Sequence, residues 1–360
     1  MVKKEKKSTY KILTINPGST STKIAFFRNK EKSIEKNYSH SSEELSQFRR
    51  IIDQKNFRWK FVEAFLQGIK ESLDAVVGRG GVLKPLEGGV WRINRKMIED
   101  IIQGNVQAEH ASNLGPILAN MVSERLNIPA FIVDPVSTDE LDDVARVTGL
   151  PEIERRSKTH ALNVKAQARR YAREIGKPLG ELCLIVVHIG GGLTVNLIKE
   201  GKIKDILDAR VDGPLSPESA GSVDIPQLID IAFSGRYNKE ELNSFWFGKG
   251  GLVALLGTNS VKNIIERISM GDERAEFYTK AMIYTISKSI GALAAAAKGK
   301  INAIILTGGV SFSKFITNGI KEYVECIAPV VVYPGSIEME AMAESAIMTL
   351  RGEAEIKEYR

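Results

Sequence analysis

Short apolar runs bounded by turn residues recur along the chain: YKILTIN, DAVVGRG, AFIVD, LCLIVVHIGGG, AIILTGG and PVVVYPG. Runs of this length, rich in Val and Ile, predict strands that are mostly buried. Between them, RKMIEDIIQ, GPILANMVSERL, LNVKAQARRYAREI and the segment from about Ala275 to Ala297 place apolar residues three and four apart. That is the spacing of one helix face. Strands alternating with helices predict an α/β architecture.

The pattern also repeats. ILTINPGSTSTKIAFF matches LIVVHIGGGLTVNLIK without a gap, so that Asn16 falls on His188, Gly18 on Gly190 and Thr22 on Thr194. Each copy is an apolar strand, a glycine- and hydroxyl-bearing turn, a return strand and a charged turn. Two such hairpins, one in each half of the chain, predict two related domains facing each other.

With 360 residues and 43% hydrophobic content the chain is long enough for two domains. Its 50 basic and 44 acidic residues, net +6, alternate along helical stretches such as QARRYAREIGK. This suits small anionic ligands; without a long basic tract or interleaved aromatics it argues against nucleic acid. The leader MVKKEKKSTY is basic but is followed by no apolar segment of signal-peptide length, and no run is long enough to span a membrane. A cytoplasmic location without membrane association is expected. Cys183 and Cys326 lie in apolar context and are expected in the core, and His40, in a polar stretch, at the surface.

The chain lacks GxxxxGK[ST], a GxGxxG after a strand, the protein-kinase motifs, HExxH and any Cys/His cluster. What it offers is turns suited to phosphate. In INPGSTSTK, Gly18 lets the backbone approach an anion, Ser19, Thr20, Ser21 and Thr22 add hydroxyls and Lys23 adds charge. In HIGGGLT, Gly190, Gly191 and Gly192 would bare backbone N–H groups, and Thr194 repeats the hydroxyl. A third turn, LTGGVS, follows the strand AIIL, and a bare backbone at Gly308, Gly309 and Val310 would let an adenosine come close. Each turn by itself reads equally well as an ordinary turn or packing site; together they fit a nucleotide gripped between domains. Arg79, between glycines after a strand, could reach a carboxylate or phosphoryl group bidentately, or be a solvated loop arginine.

INPGSTSTK, HIGGGLT, DGPLSPESAG, AFSGRY and LTGGVSFS resemble the acetate and butyrate kinase family nearly end to end, its butyrate branch most. That family lies within the larger group of sugar kinases, actin and heat-shock ATPases. The resemblance implies two duplicated ribonuclease-H-like domains, each a five-stranded mixed sheet flanked by helices, around a nucleotide cleft. We place the first at residues 1–165, with a C-terminal helix of about 338–360 packing back on it, and the second, nucleotide-binding, at 180–335. It further implies ATP- and Mg2+-dependent conversion of a short-chain carboxylate to an acyl phosphate, butanoate + ATP = butanoyl phosphate + ADP, by a homo-oligomer.

On the same resemblance Arg79, His110, Asp134, His160 and His188 are the catalytic positions. Asn16, Gly18, Ser19, Thr20, Ser21 and Lys23 would hold one side of the phosphates, Gly190 to Gly192 with Thr194 the other, and Gly308 to Val310 the adenosine. Of the C-terminal glutamates, Glu340 is the first choice for magnesium and Glu338 the second, with Asn16. The chain departs from the acetate kinase pattern in PESAGSVD, where a second arginine is missing and Ser219 or Ser222 or a charge from elsewhere would replace it. Around GTNSVKN an Asp and Arg that would face the adenosine are also missing, and Lys262 is the nearest cation. A sugar or hydroxyl kinase using Asp134 as base, and an actin-like ATPase, are the alternatives.

Overall fold

The structure, a computed structural model, describes residues 8–360, so the leader through Lys7 lies outside the described residues. Twelve strands form among them: β1 (Lys11–Pro17), β2 (Ser21–Arg28), β3 (Glu31–Ser39), β4 (Ala75–Arg79), β5 (Val90–Arg92), β6 (Ala130–Val133), β7 (Cys183–Ile189), β8 (Leu193–Lys199), β9 (Lys202–Asp208), β10 (Ala303–Gly308), β11 (Val330–Pro334) and β12 (Ile356–Glu358). They build two sheets, in the orders β12-β5-β6-β4-β1-β2-β3 and β11-β10-β7-β8-β9.

The internal repeat of the sequence is a repeat of topology. In each sheet three antiparallel strands (β1-β2-β3, β7-β8-β9) are followed by two that add in parallel to the first of them (β4 and β6, β10 and β11). This is the ribonuclease-H-like order, twice. The first sheet has seven strands rather than the expected five because β5 pairs antiparallel to β6 and the C-terminal β12 adds to β5. The ungapped match of the two hairpins also needs a correction. Asn16 pairs with Lys23 but His188 pairs with Thr194, so the second turn is one residue shorter.

The chain forms two compact units, one comprising residues up to Asp139 and again Ile337–Arg360, the other Glu140–Ser336. In the first, Leu13, Ile15, Ile24, Phe26, Val76 and Ile132 of the sheet pack with Val62, Met97 and Leu118 from helices. The C-terminal helix Glu338–Leu350 lies against β1 and β4. In the second, one sheet face packs on the long helix Glu273–Ala296 and the other on Ala161–Glu174. That latter helix, which a boundary at residue 165 would have divided, belongs whole to the second unit.

Close approach of backbone explains two glycines of AVVGRGG. A methyl group on Gly78 would lie 2.2 Å from the carbonyl oxygen of Gly115, and one on Gly81 2.0 Å from Asn113 Oδ1. The helix Leu114–Leu126 can therefore start directly against the end of β4. Strand β3 was not expected, because it is an edge strand whose polar, mostly exposed residues carry no apolar run. Cys326 is exposed and Cys183 only half-buried, not core as expected. Cys326 sits just beyond the helix Lys314–Val324, and Cys183 opens its strand.

Candidate active site

In an α/β sheet the carboxyl ends of the parallel strands are where side chains converge on ligands. In the first unit these ends carry Asn16 on β1, Arg79 on β4 and Asp134 immediately after β6, in adjacent register. The guanidinium of Arg79 donates to Asn16 Oδ1 at 3.3 Å and pairs with Glu338 Oε1 at 3.2 Å, while Asn16 Nδ2 donates to Glu338 Oε2 at 2.9 Å. Glu338 opens the C-terminal helix, so three residues from widely separated parts of the sequence form one closed polar triangle.

Glu340 and Glu344 do not join it. They pair with Lys32 and Lys30. Residues two apart on a helix project about 200° from one another, so Glu338 and Glu340 cannot serve the same point. Of the two, Glu338 is the one that meets Arg79 and Asn16.

Asp134 is buried with φ +38°, a left-handed conformation rare outside glycine. Its Oδ1 accepts from the Gly89 N–H at 2.8 Å and its own N–H donates to the Gly89 carbonyl at 3.0 Å, so it closes a turn as well as ending a strand. His110 caps the short helical turn Ala111–Asn113. Its Nδ1 accepts from the Ser112 N–H at 3.2 Å, which places the ring proton on Nε2. The turn leads into the helix seated on β4.

The turn of INPGSTSTK is held from behind by Arg58, which the sequence reading did not single out. Arg58 is fully buried and donates to the carbonyls of Gly18 (2.9 Å), Ser21 (2.7 Å) and Ser19 (3.4 Å), to Thr22 Oγ1 (3.1 Å) and to Gln54 Oε1. Burial lowers it to about 10, leaving it a cation at neutral pH. Gly18 N–H is engaged by the Ser21 carbonyl. Ser19 and Thr20 are exposed, and their N–H groups have no protein partner among the described residues. Lys23 is half-buried beside them with no ion-pair partner there.

Thr22, read as a ligand hydroxyl, instead points inward to Arg58 and to His40 Nε2 at 2.8 Å. His40 is buried against Phe57 and Phe61, not exposed as expected. Burial, with the charge of Arg58, pushes its pKa down. The signal for Arg58 was present: with Val62 and Phe65 it forms the buried stripe of the helix Lys55–Gln67.

In the second unit, His188 and Gly308 end adjacent parallel strands. His188 Nδ1 accepts from the amide of Asn163 at 3.0 Å, which leaves Nε2 as the N–H donor. Asn163 and Gln167, one turn apart on their helix, both donate to Thr307 Oγ1. The His160 ring stacks on that of His188 with centroids 4.0 Å apart. Thr194 is fully buried and bonded to His160 Nδ1, Thr159 and Asn196, so it positions a histidine rather than presenting a hydroxyl.

Gly190 to Gly192 form a turn whose Gly191 carbonyl accepts from the Ser216 hydroxyl and the Glu218 N–H. A methyl on Gly191 would strike the Glu218 carboxylate. Gly308, at φ +94°, abuts the backbone of Ile189, which alone explains its glycine, and Val310 is buried. Gly309 has open space around its Cα.

Neither serine of PESAGSVD is available to replace an arginine. Ser219 Oγ donates to the Trp246 carbonyl and Ser222 Oγ to that of Gly213. Lys262 is almost wholly exposed and, among the described residues, pairs with Glu266.

A hard divalent cation that keeps several waters needs one or two oxygen donors from protein. Glu338, mostly buried, and the Asn16 carbonyl oxygen are such donors and share one cluster. By donor type these two oxygens suit a magnesium ion that keeps most of its waters, although each is here bonded to Arg79 or Asn16.

The Acetokinase family model matches residues 153–326. A protein of Clostridium botulinum described as "Probable butyrate kinase" is 49% identical over 98% of this chain and all of its own length. Among solved structures, acetate kinase of Porphyromonas gingivalis superposes with TM-score 0.75 at 18% identity, covering 95% of this chain and 100% of that one. A propionate kinase of Francisella tularensis gives 0.72 at 16%, covering 93% and 98%. The fold is thus that of the acetate and propionate kinases, a duplicated ribonuclease-H-like architecture. By its similarity across the full length, the chain belongs to the acetokinase family.

Proposed function

We propose that this chain transfers the γ-phosphoryl group of ATP to a short-chain carboxylate, butanoate foremost, giving the acyl phosphate and ADP reversibly. The observation that carries this is the Asn16–Arg79–Glu338 triangle: a guanidinium at the strand end, oriented by an amide and a carboxylate and still one-fifth accessible. Such a fork suits a carboxylate or a phosphoryl group bidentately.

A carboxylate oxygen attacks the γ-phosphorus as the bond to the β,γ-bridging oxygen breaks. No general base is required, since the acid is already ionised at neutral pH. What the protein must supply is charge and position. Arg79 and Lys23 supply charge. In the first unit the N–H groups of Ser19 and Thr20, and in the second those of the triglycine turn with Nε2–H of His188 and the ring of His160, are donors suited to phosphate oxygens. Asp134 lies on the same edge as Arg79, and His110 is a further donor to the phosphoryl oxygens. Magnesium, held by Glu338 and Asn16, would neutralise phosphate charge. Gly309 leaves room for the adenosine.

No helix among the described residues is long and apolar enough to cross a membrane. The exposed apolar side chains of the helix Ile225–Phe233 (Ile225, Ile229 and Phe233) support the homo-oligomeric reading.

The test is a hydroxamate assay with ATP and Mg2+ over straight and branched acids of about two to five carbons. A methylene in an apolar pocket is worth about 1–3 kcal/mol, so a maximum at butanoate with slower neighbours is expected. No hydroxamate from any acid, in folded protein that binds ATP, would overturn the reading in favour of a hydroxyl kinase or an actin-like ATPase.

A further inference from the structure

Arg58 is the one cation among the described residues that is both wholly buried and without an acidic partner. The salt-bridged Lys165, by contrast, meets Glu140. An uncompensated buried charge is strongly disfavoured, and several carbonyl dipoles offset only part of that penalty. Holding a turn does not demand a charge. In the second unit the triglycine turn is tied back by the Ser216 hydroxyl and the Glu218 amide, both neutral.

The side chain occupies the interior face of the Gly18–Ser21 turn and takes the carbonyls of Gly18, Ser19 and Ser21. Ser19 and Thr20, exposed on the same turn, keep unpartnered N–H groups. A turn whose carbonyls are fixed inward by a cation offers its amides, and a positive field, to an anion outside.

We infer that Arg58 is a positioning residue for the nucleotide's phosphates: its charge is balanced by the bound polyphosphate across the turn, not by a protein carboxylate. The inference rests on the reading that ATP binds at this turn. Arg58 touches no substrate; it acts through the amides of Ser19 and Thr20.

The experiment is calorimetric titration of the full chain with ATP, inorganic tripolyphosphate and adenosine, for wild type, Arg58→Gln and Arg58→Lys, alongside thermal melts. Arg58→Gln is expected to bind ATP and tripolyphosphate at least about tenfold more weakly and adenosine as wild type does. Arg58→Lys, which keeps the charge but not the fork, should fall between. If Arg58→Gln melts earlier yet binds ATP and tripolyphosphate within twofold of wild type, the residue is merely structural and the inference fails. Should Arg58→Gln not fold, the same comparison is read from Arg58→Lys, for which unchanged tripolyphosphate affinity overturns it. Wild type that binds neither ATP nor tripolyphosphate would overturn the underlying reading itself.

Discussion

The carboxylate of Glu338 lies 3.2 Å from the guanidinium of Arg79, although one residue begins the last helix and the other ends the fourth strand. Asn16 bridges the two, taking a bond from Arg79 and giving one to Glu338. The C-terminal helix therefore does more than cover the sheet. It returns a negative charge to the strand ends where an otherwise unpaired arginine would stand.

Arg79→Ala should lower kcat/KM in the hydroxamate assay about 100-fold or more, the usual effect of removing one oriented donor from a transition state. Circular dichroism should stay unchanged, since the side chain lies at the sheet's end. Arg79→Lys should recover little, because an ammonium cannot reproduce two parallel bonds. Activity within threefold of wild type in either variant would remove Arg79 from the reaction.

Glu338→Gln should shift the Mg2+ concentration giving half-maximal rate upward by about tenfold, whereas Glu340→Gln, whose partner is Lys32, should leave it in place. A Mg2+ titration of the two variants decides between them. Equal shifts would dissolve the distinction drawn from helix geometry.

Asn163→Leu removes the donor that fixes His188 Nδ1 as an acceptor. With the tautomer released, a part of the enzyme would present the wrong nitrogen, and kcat should fall about tenfold with little change in the KM for the acid. Nitrogen chemical shifts of the ring in wild type and variant report the tautomer directly. An unchanged tautomer together with unchanged kcat would contradict the assignment.

Asp100 is fully buried on the helix Arg95–Gln103, where Lys84 at 2.5 Å, Lys96 at 2.8 Å and the hydroxyl of Tyr359 at 3.1 Å hold it. The bond from Lys84, then that from Lys96, keeps its carboxyl well below the ordinary range. The folded state thus binds fewer protons here than the unfolded chain. The stabilisation is complete above about pH 4–5 and is lost as the pH falls through the ordinary carboxylate value towards the depressed one. Asp100→Asn should cost about 2 kcal/mol at pH 7, with the difference narrowing steadily below about pH 4 in denaturant melts followed against pH. A difference independent of pH would show that charge is not what Asp100 contributes.

The strand runs, the main helices and the duplicated hairpins were legible because each is a local matter: apolar period and turn chemistry are written in consecutive residues. INPGSTSTK and HIGGGLT could be read as turns between paired strands for the same reason, with Asn16 and His188 near the strand ends. What the sequence could not determine was which side chain meets which. Glu338 rather than Glu340 reaches Arg79 because helix phase and the docking of the last helix on β1 and β4 decide it. Thr22 and Thr194 turn inward because the pleat and the neighbouring imidazoles claim them. His40 looked like a surface residue in polar surroundings, and Arg58 went unremarked; the folding of the helix Lys55–Gln67 over the hairpin buries both. Burial and pairing are properties of contacts between distant segments, and those contacts exist only once the sheet has assembled.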